Sequence, residues 1–199
     1  MILALLPGRS AEQAVRAAAA LEGGPGLVVG ADLLAGPGPA VVAALADLGE
    51  VLVMAGLHGD PAQAASAARR YAGYGATWVS VQAADGPAIV EAVSATPIGA
   101  VAATVRHRLG DAEAASIGGR SRGRAVSRLA EVAAAGGAVG ILCDLPDLGV
   151  IAQVAPGLVR FVWADTPDEA VEATRRGAER VIVDADAVAA TREALDAAG

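Results

Sequence analysis

Short runs of aliphatic residues alternate along this chain with longer segments that are rich in alanine and charged residues. The aliphatic runs are continuous, which is typical of parallel strands buried on both faces of a sheet. They predict strands at residues 2–6, 27–30, 51–54, 77–81, 98–104, 139–142, 158–162 and 180–183. Eight strand–helix units in 199 residues predict one α/β domain, a (β/α)8 TIM barrel over residues 1–199. An open doubly wound sheet is the alternative, but no G-x-G-x-x-G follows the first strand.

Capping residues mark several helix starts. Ser10 with Gln13, and Thr166 with Glu169, have the spacing of a capping box, in which each side chain accepts a backbone N–H of the first turn. Pro61 follows Asp60 at a favoured first helical position. Further helices are predicted near residues 40–48, 87–94 and 147–154.

The connection after strand five is the longest in the chain. Residues 110–117 and 124–135 predict two helices, and the segment between them, residues 118–123, is rich in glycine and arginine. In an acidic protein this basic segment could be a lid, a strip that docks a partner, or a plain linker between the helices. The pattern alone leaves these three interpretations open.

Composition narrows the possible chemistry. The fifteen basic residues are all arginine, so a lysine Schiff base, a P-loop lysine and a lysine general acid are excluded. The net charge of −7 disfavours nucleic acid or an anionic membrane as a partner. Cys143 is the only cysteine, which excludes an intrachain disulfide and predicts a reducing, cytoplasmic location. No apolar run approaches the roughly 20 residues of a membrane span.

Residues 50–61 read EVLVMAGLHGDP, an apolar run followed by a glycine-rich turn and Asp60-Pro61. This segment resembles the end of the third strand in the orotidine 5'-monophosphate decarboxylase family, D-x-K-x-x-D followed by x-P. Met54, Gly56 and Gly59 stand where that family carries Asp, Lys and Asp. Residues 79–86 resemble its V-T-V-H-x-x-x-G, with Gln82 in place of His.

Later segments continue the resemblance. Residues 104–109, TVRHRL, resemble the family's T-V-L-T-S-L, with Arg108 at the position of a Ser that contacts the pyrimidine. Thr166 begins a segment similar to T-P-x-E-A. Asp184 follows the last strand, where the family's phosphate-binding Gly-Arg is expected. The resemblance implies the barrel fold and a homodimer whose barrel mouths lie at the interface, whereas the departures predict that classical decarboxylation is lost.

Candidate site residues lie at the carboxyl ends of the predicted strands, where barrel enzymes carry their active sites. The catalytic candidates are His107, His58, Asp60, Asp144 and Asp184. The substrate-binding candidates are Gln82, Arg106, Arg108, Trp163 and Asp165. No cofactor is predicted, and no metal either, because spacings such as H-x-x-x-H are missing from the sequence.

Each candidate also has a structural interpretation. Arg106, His107 and Arg108 could bind an anion and exchange protons, or they could belong to a solvated loop. Asp60 is an expected N-cap, and the other aspartates also lie at or just before helix starts. Trp163 could stack on a planar ligand or cap the mouth, and Cys143 is expected to pack rather than react.

Three functions remain compatible with the sequence. The first is a repurposed lyase or isomerase acting on a small, non-phosphorylated anionic substrate. The second is a non-catalytic scaffold, for which the mouth would be plugged by Met54, Trp163 and other apolar side chains. The third is a sugar-phosphate lyase such as hexulose-phosphate synthase. Trp78 in strand four is expected to pack outward against the helices in all three cases.

Overall fold

The computed structural model describes residues 1–105, 112–113 and 121–199. Within them eight parallel strands form a closed barrel in sequence order, and β1 pairs with both β2 and β8. The strands are β1 (Ile2–Leu5), β2 (Gly26–Val29), β3 (Val51–Leu57), β4 (Trp78–Gln82), β5 (Gly99–Ala103), β6 (Gly140–Asp144), β7 (Val159–Trp163) and β8 (Arg180–Asp184). The predicted (β/α)8 fold is therefore confirmed.

The described helices surround the barrel and pack on its outer face. They are α1 (Ala11–Ala19), α2 (Ala31–Ala35), α3 (Ala40–Ala46), α4 (Pro61–Gly73), α5 (Pro87–Ser94), α6 (Arg122–Ala135), α7 (Leu148–Val154), α8 (Pro167–Arg175) and α9 (Val188–Ala198). Short 3-10 turns precede α5, α7 and α9. None of the helices in the described ranges is long and apolar enough to cross a membrane.

The capping residues hold the helix starts as the sequence predicts. Ser10 Oγ accepts the N–H of Gln13 at 3.2 Å, and Thr166 Oγ1 accepts that of Glu169 at 3.2 Å. The reciprocal bond of each box is displaced by one residue. Gln13 accepts the N–H of Arg9 rather than that of Ser10, and Glu169 accepts the N–H of Asp165.

Strand β3 is longer than predicted and contains an irregularity. Its pairing with β4 shifts register between Val53 and Leu57. Gly56 adopts a φ of +54°, in the left-handed region that glycine occupies at little cost, and its N–H donates to Ser80 Oγ at 2.7 Å. The prediction that the strand ends at Met54 is wrong. The strand continues for three more residues, to Leu57, and the hydrogen bond from Gly56 to Ser80 holds it beside β4.

Two apolar layers hold the barrel together. The larger lies between the sheet and the helices, and a smaller one fills the barrel interior around Leu3, Val28, Leu52, Val101, Leu142, Phe161 and Ile182. Trp78 belongs to the interior layer, so the prediction that it packs outward is wrong. Its ring meets that of Phe161 edge-on, with centroids 5.5 Å apart.

Glycines at the starts of two strands make room for these rings. A Cβ atom on Gly99 would lie 2.6 Å from Cδ1 of Trp78, and one on Gly140 would lie 2.5 Å from Cε2 of Phe161. Both distances are shorter than van der Waals contact permits. Round the barrel, these two glycines lie on β5 and β6, between Trp78 on β4 and Phe161 on β7.

The structure also corrects the predicted segment after strand five. Arg122 and Gly123 belong to the first turn of α6, so the helix begins two residues earlier than predicted. Residues 112–113 are helical, within the short helix predicted at 110–117. The rest of that helix, and residues 118–120, lie outside the described residues.

Candidate functional site

A cavity of about 370 Å³ opens at the carboxyl ends of β3 to β7, and we call it the mouth cavity. Its described lining residues are Met54, Gln82, Ala103, Thr104, Val105, Leu142, Cys143, Asp144 and Trp163. Most of this wall is apolar. Polar groups come from β4 (Gln82), from the residue after β5 (Thr104) and from β6 (Asp144), so they follow one another around part of the rim.

The side chain of Gln82 occupies the space beside the irregular end of β3. A Cβ atom on Gly56 would lie 3.2 Å from Nε2 of Gln82, which is tighter than ordinary contact. Gln82 therefore presents an amide, with both donor and acceptor capacity, close to where a side chain at position 56 would begin. The hydroxyl of Thr104 donates to the Leu142 carbonyl at 3.0 Å and ties β5 to β6 at the cavity wall.

A buried ion network lies at the end of β6. Arg122 donates from Nε to Oδ1 of Asp147 at 2.9 Å and from Nη2 to Oδ2 of Asp147 at 2.6 Å. The same Nη2 donates to Oδ2 of Asp144 at 2.8 Å. All three residues are buried: Arg122 is 8% exposed, Asp144 9% and Asp147 3%. We call Arg122, Asp144 and Asp147 the carboxylate–arginine network.

Charge and burial shift two pKa values around this network. The hydrogen bonds that Arg122 donates to Asp147 raise the pKa of Arg122, although burial opposes the rise. Burial raises the pKa of the Cys143 thiol strongly, with further contributions from Asp147 and Asp144. Cys143 is 2% exposed and stays protonated near neutral pH, which confirms the prediction that it packs.

A second cavity, of about 560 Å³, lies beside the mouth between β1, β2 and β8, and it has an acidic border. Asp32, Asp184 and Asp186 line it together with backbone and apolar atoms. A smaller cavity of about 300 Å³ is lined by Trp163, Asp165 and Asp184. Trp163 thus lies between the mouth cavity and this acidic side.

The structure brings some predicted residues together and separates others. Gln82, Asp144 and Trp163 line the mouth cavity. Asp165 and Asp184 are exposed and lie on the acidic side. Arg106, His107 and Arg108 lie outside the described residues, so the structure says nothing about their placement.

His58 and Asp60 lie after β3 on the exposed surface, outside the described lining of the mouth cavity. Asp60 Oδ1 accepts the N–H of Gln63 at 2.9 Å, so Asp60 has the N-cap role that was the alternative interpretation. Among residues 1–105, 112–113 and 121–199, no group of three or more His, Cys, Asp or Glu side chains could hold a metal ion.

Sequence reasoning missed Arg122 and Asp147. Arg122 stood within a basic segment whose composition predicts a loop, and Asp147 stood at a predicted helix start. They lie 25 residues apart, so no local spacing signals their contact. Only the packing of α6 against the end of β6 brings them together.

A closed (β/α)8 barrel with polar side chains at the carboxyl ends of its strands has the architecture of the barrel enzymes. No protein-family model matches the chain. Curated relatives do match the chain. Among them, orotidine 5'-phosphate decarboxylase of Anaeromyxobacter sp. (strain K) is 37% identical over 175 residues, which is 79% of this chain and 77% of the relative. That of Thermobifida fusca (strain YX) is 36% identical over 166 residues, 76% of this chain and 70% of the relative. The chain belongs to the orotidine 5'-phosphate decarboxylase family.

Solved structures show the same fold at lower identity. Orotidine 5'-phosphate decarboxylase from Lactobacillus acidophilus superposes with a TM-score of 0.85 at 17% identity, covering 98% of each chain. An uncharacterized conserved protein from Geobacillus kaustophilus gives 0.84 at 22% identity, over 100% of this chain and 99% of the other. The 3-hexulose-6-phosphate synthase of Salmonella typhimurium gives 0.77 at 13% identity, again over 100% and 99%.

Proposed function

We propose that this member of the family has lost orotidine monophosphate decarboxylation and acts as a lyase or isomerase on a small, non-phosphorylated anionic substrate in the mouth cavity. One observation carries the proposal: in this cavity β3 contributes the thioether of Met54, whereas the buried carboxylate in the described lining is Asp144 on β6. The negative charge of the site therefore sits on a different strand from the family's third-strand signature.

The loss of decarboxylation follows from the residues at the end of β3. Met54, Gly56 and Gly59 replace the Asp, Lys and Asp of that signature, and the chain has no lysine that could donate a proton from elsewhere. Gln82 supports the same interpretation, because its amide approaches the space that a longer side chain at position 56 would need.

The loss of phosphate binding is inferred from charge. Asp184 ends β8, Asp186 follows it, and both line the cavity beside the mouth, while Asp165 follows β7. Carboxylates at these positions would repel a phosphate dianion, since like charges in close contact cost free energy even where water reaches them. A sugar-phosphate lyase activity, as in the hexulose-phosphate synthase that shares the fold, meets the same objection.

The anionic character of the substrate is inferred from the sequence after β5. Val105 lines the mouth cavity, and Arg106, His107 and Arg108 follow it directly in the chain. Guanidinium groups are suited to carboxylates, and a histidine can exchange protons near neutral pH. In the proposed reaction Arg106 and Arg108 bind the anion, while His107 and Asp144 transfer a proton at the carbon next to a carbonyl.

A ligand-binding role is favoured over a scaffold by the mouth itself. Met54 and Trp163 line a cavity of about 370 Å³ and do not fill the space that the described residues enclose. A plugged mouth was the property expected of a scaffold. By analogy with the family we also propose a homodimer in the cytoplasm, which size-exclusion chromatography with light scattering would test as a mass near twice 19.5 kDa.

Thermal-shift titration tests the proposal directly. A ligand at a hundred times its Kd stabilises the native state by about 2.7 kcal/mol, which is about 6 °C for a chain of this size. We expect no shift with uridine or orotidine monophosphate, no carbon dioxide release from the latter, and a shift with one or more small hydroxy or keto acids. The Asp144→Asn variant should lose that shift, and the exposed Asp196→Asn should keep it. Stabilisation by the monophosphates but not by uridine or orotidine would return the protein to phosphate chemistry.

A further inference from the structure

We propose that Arg122 and Asp147 are positioning residues of the mouth cavity, which hold the Asp144 carboxylate in place so that it accepts a hydrogen bond from a ligand hydroxyl or N–H group. This inference rests on the proposed function for the identity of the site. The contacts by which Arg122 and Asp147 support Asp144 do not depend on a ligand, so a separate measurement tests them.

The division of hydrogen bonds within the carboxylate–arginine network supports the assignment. Asp147 accepts two bonds from the guanidinium of Arg122 and a third, at 3.1 Å, from the backbone N–H of Asp144. Asp147 therefore fixes both the guanidinium and the backbone that carries Asp144. Asp144 accepts from the same Nη2 through Oδ2, and it lines the mouth cavity, whereas Asp147 does not belong to the described lining.

The carboxylate–arginine network joins the start of a helix to the end of a strand at the mouth cavity. Arg122 is the first residue of α6, and Asp144 is the last residue of β6. A buried ion pair of this kind is weak evidence for added stability, because desolvation cancels much of the attraction. It does fix geometry, since a guanidinium presents its donors in a rigid planar fork. Asp144 is thereby held at the cavity wall next to Trp163, its register partner on β7.

The hydrogen-bond character of the described wall indicates the chemical class of ligand. Asp144 is an acceptor, and the hydroxyl of Thr104 has its hydrogen committed to the Leu142 carbonyl, so it too can only accept. Gln82 supplies donors from its amide. A complementary ligand donates a hydroxyl or N–H group toward β5 and β6 and accepts toward β4, as a small hydroxy acid does.

Cys143 provides a built-in reporter of the charge around Asp144. It precedes Asp144, it lines the same cavity, and it is the only cysteine of the chain. After burial, the negative charges of Asp147 and Asp144 raise its pKa, while the positive charges of Arg160 and Arg122 lower it. Only the thiolate attacks a methanethiosulfonate, forming a mixed disulfide and releasing methanesulfinate. Because Cys143 is 2% exposed, the rate below the thiol pKa follows both the thiolate fraction and the fraction of molecules in which the thiol is accessible.

The experiment measures labelling of the intact protein by methyl methanethiosulfonate, an uncharged reagent, between pH 7 and 10 by mass spectrometry. Each labelling rate is divided by the open fraction of the same variant, measured by hydrogen exchange of the Cys143 amide. Asp147→Asn should raise this corrected rate, because a negative charge near the thiol is lost, and Arg122→Met should lower it although it destabilises the fold. Each pKa unit corresponds to about a tenfold change in rate. Arg122→Lys, which keeps the charge, should lie between wild type and Arg122→Met. Arg128→Met, at an exposed residue of the same helix, and Asp196→Asn should match the wild type.

Opposite changes in the corrected rates of Asp147→Asn and Arg122→Met distinguish an effect of charge from a loss of structural support. If the network only held α6 against β6, opening would account for all of the change, and the corrected rates of both variants would equal that of the wild type, which would overturn the inference. If Arg122→Met does not fold, Arg122→Lys and Asp147→Asn still give the comparison. A wild-type protein that binds none of the hydroxy or keto acids would refute the proposed function while leaving the labelling result to decide this inference.

Discussion

Replacing Arg122 with methionine tests how strongly the carboxylate–arginine network is built into the fold. The change removes three charge-assisted hydrogen bonds, of 2.6 to 2.9 Å, and leaves Asp144 and Asp147 buried without that guanidinium. Breaking a buried ion pair from one side typically costs about 3 to 5 kcal/mol, because the remaining charge stays desolvated. The entropy of unfolding is about 2.1 cal/mol/K per residue, so for 199 residues a loss of about 4 kcal/mol lowers Tm by about 10 °C.

Differential scanning calorimetry at pH 7 measures this change, with Arg128→Met as the matched control. Arg128 also pairs with a carboxylate, Glu131, but its side chain is 63% exposed, and exposed pairs contribute little. The control should melt within about 2 °C of the wild type. The triple variant Arg122→Met, Asp144→Asn, Asp147→Asn removes all three charges and should regain much of the loss. An Arg122→Met protein that melts together with the Arg128→Met control would refute the reasoning.

Three smaller changes test other parts of the barrel. Burial by itself raises the pKa of Glu179, but hydrogen bonds from Arg160 outweigh burial and leave that pKa below its usual value. The ionised Glu179 therefore adds stability above about pH 4.5, and this stability is lost as pH falls through the lowered pKa. The Tm deficit of Glu179→Gln should accordingly shrink between pH 7 and pH 3. Gly136→Ala places a Cβ atom 2.5 Å from Cβ of Val90, and urea unfolding should show a loss of about 1 to 3 kcal/mol. Asp60→Ala removes an N-cap and should cost about 1 kcal/mol in the same assay without lowering affinity for any acid that binds the mouth cavity.

The periodic parts of the chain could be predicted from the sequence because burial on both faces imposes continuous apolar runs on every strand. Helices α4 and α5 begin where Pro61 and Pro87 place them, since proline suits the first helical turn. The end of β3 could not be predicted in the same way. Its continuation depends on the hydroxyl of Ser80, 24 residues away, which holds Gly56 in a left-handed conformation.

The inward position of Trp78 could not be predicted from its own strand, because it depends on glycines in β5 and β6. Gly99 and Gly140 each stand at the start of a strand, and the missing side chains leave room for two aromatic rings inside the barrel.

The candidate site could also be predicted only in part. Gln82 and Asp144 were found because they follow apolar runs, whereas Arg122 was missed because its partners lie far along the chain.

The aromatic pair inside the barrel also limits how a ligand can move. Trp78 and Phe161 meet edge-on, and the guanidinium of Arg180 lies 5.8 Å from the Trp78 ring centroid. Both rings belong to the interior apolar layer, which also includes Leu142 of the mouth cavity. With these side chains inside the barrel, a ligand of the mouth cavity enters and leaves on the same side. In the proposed reaction substrate and product would then occupy one chamber in turn, so product inhibition would be competitive with substrate.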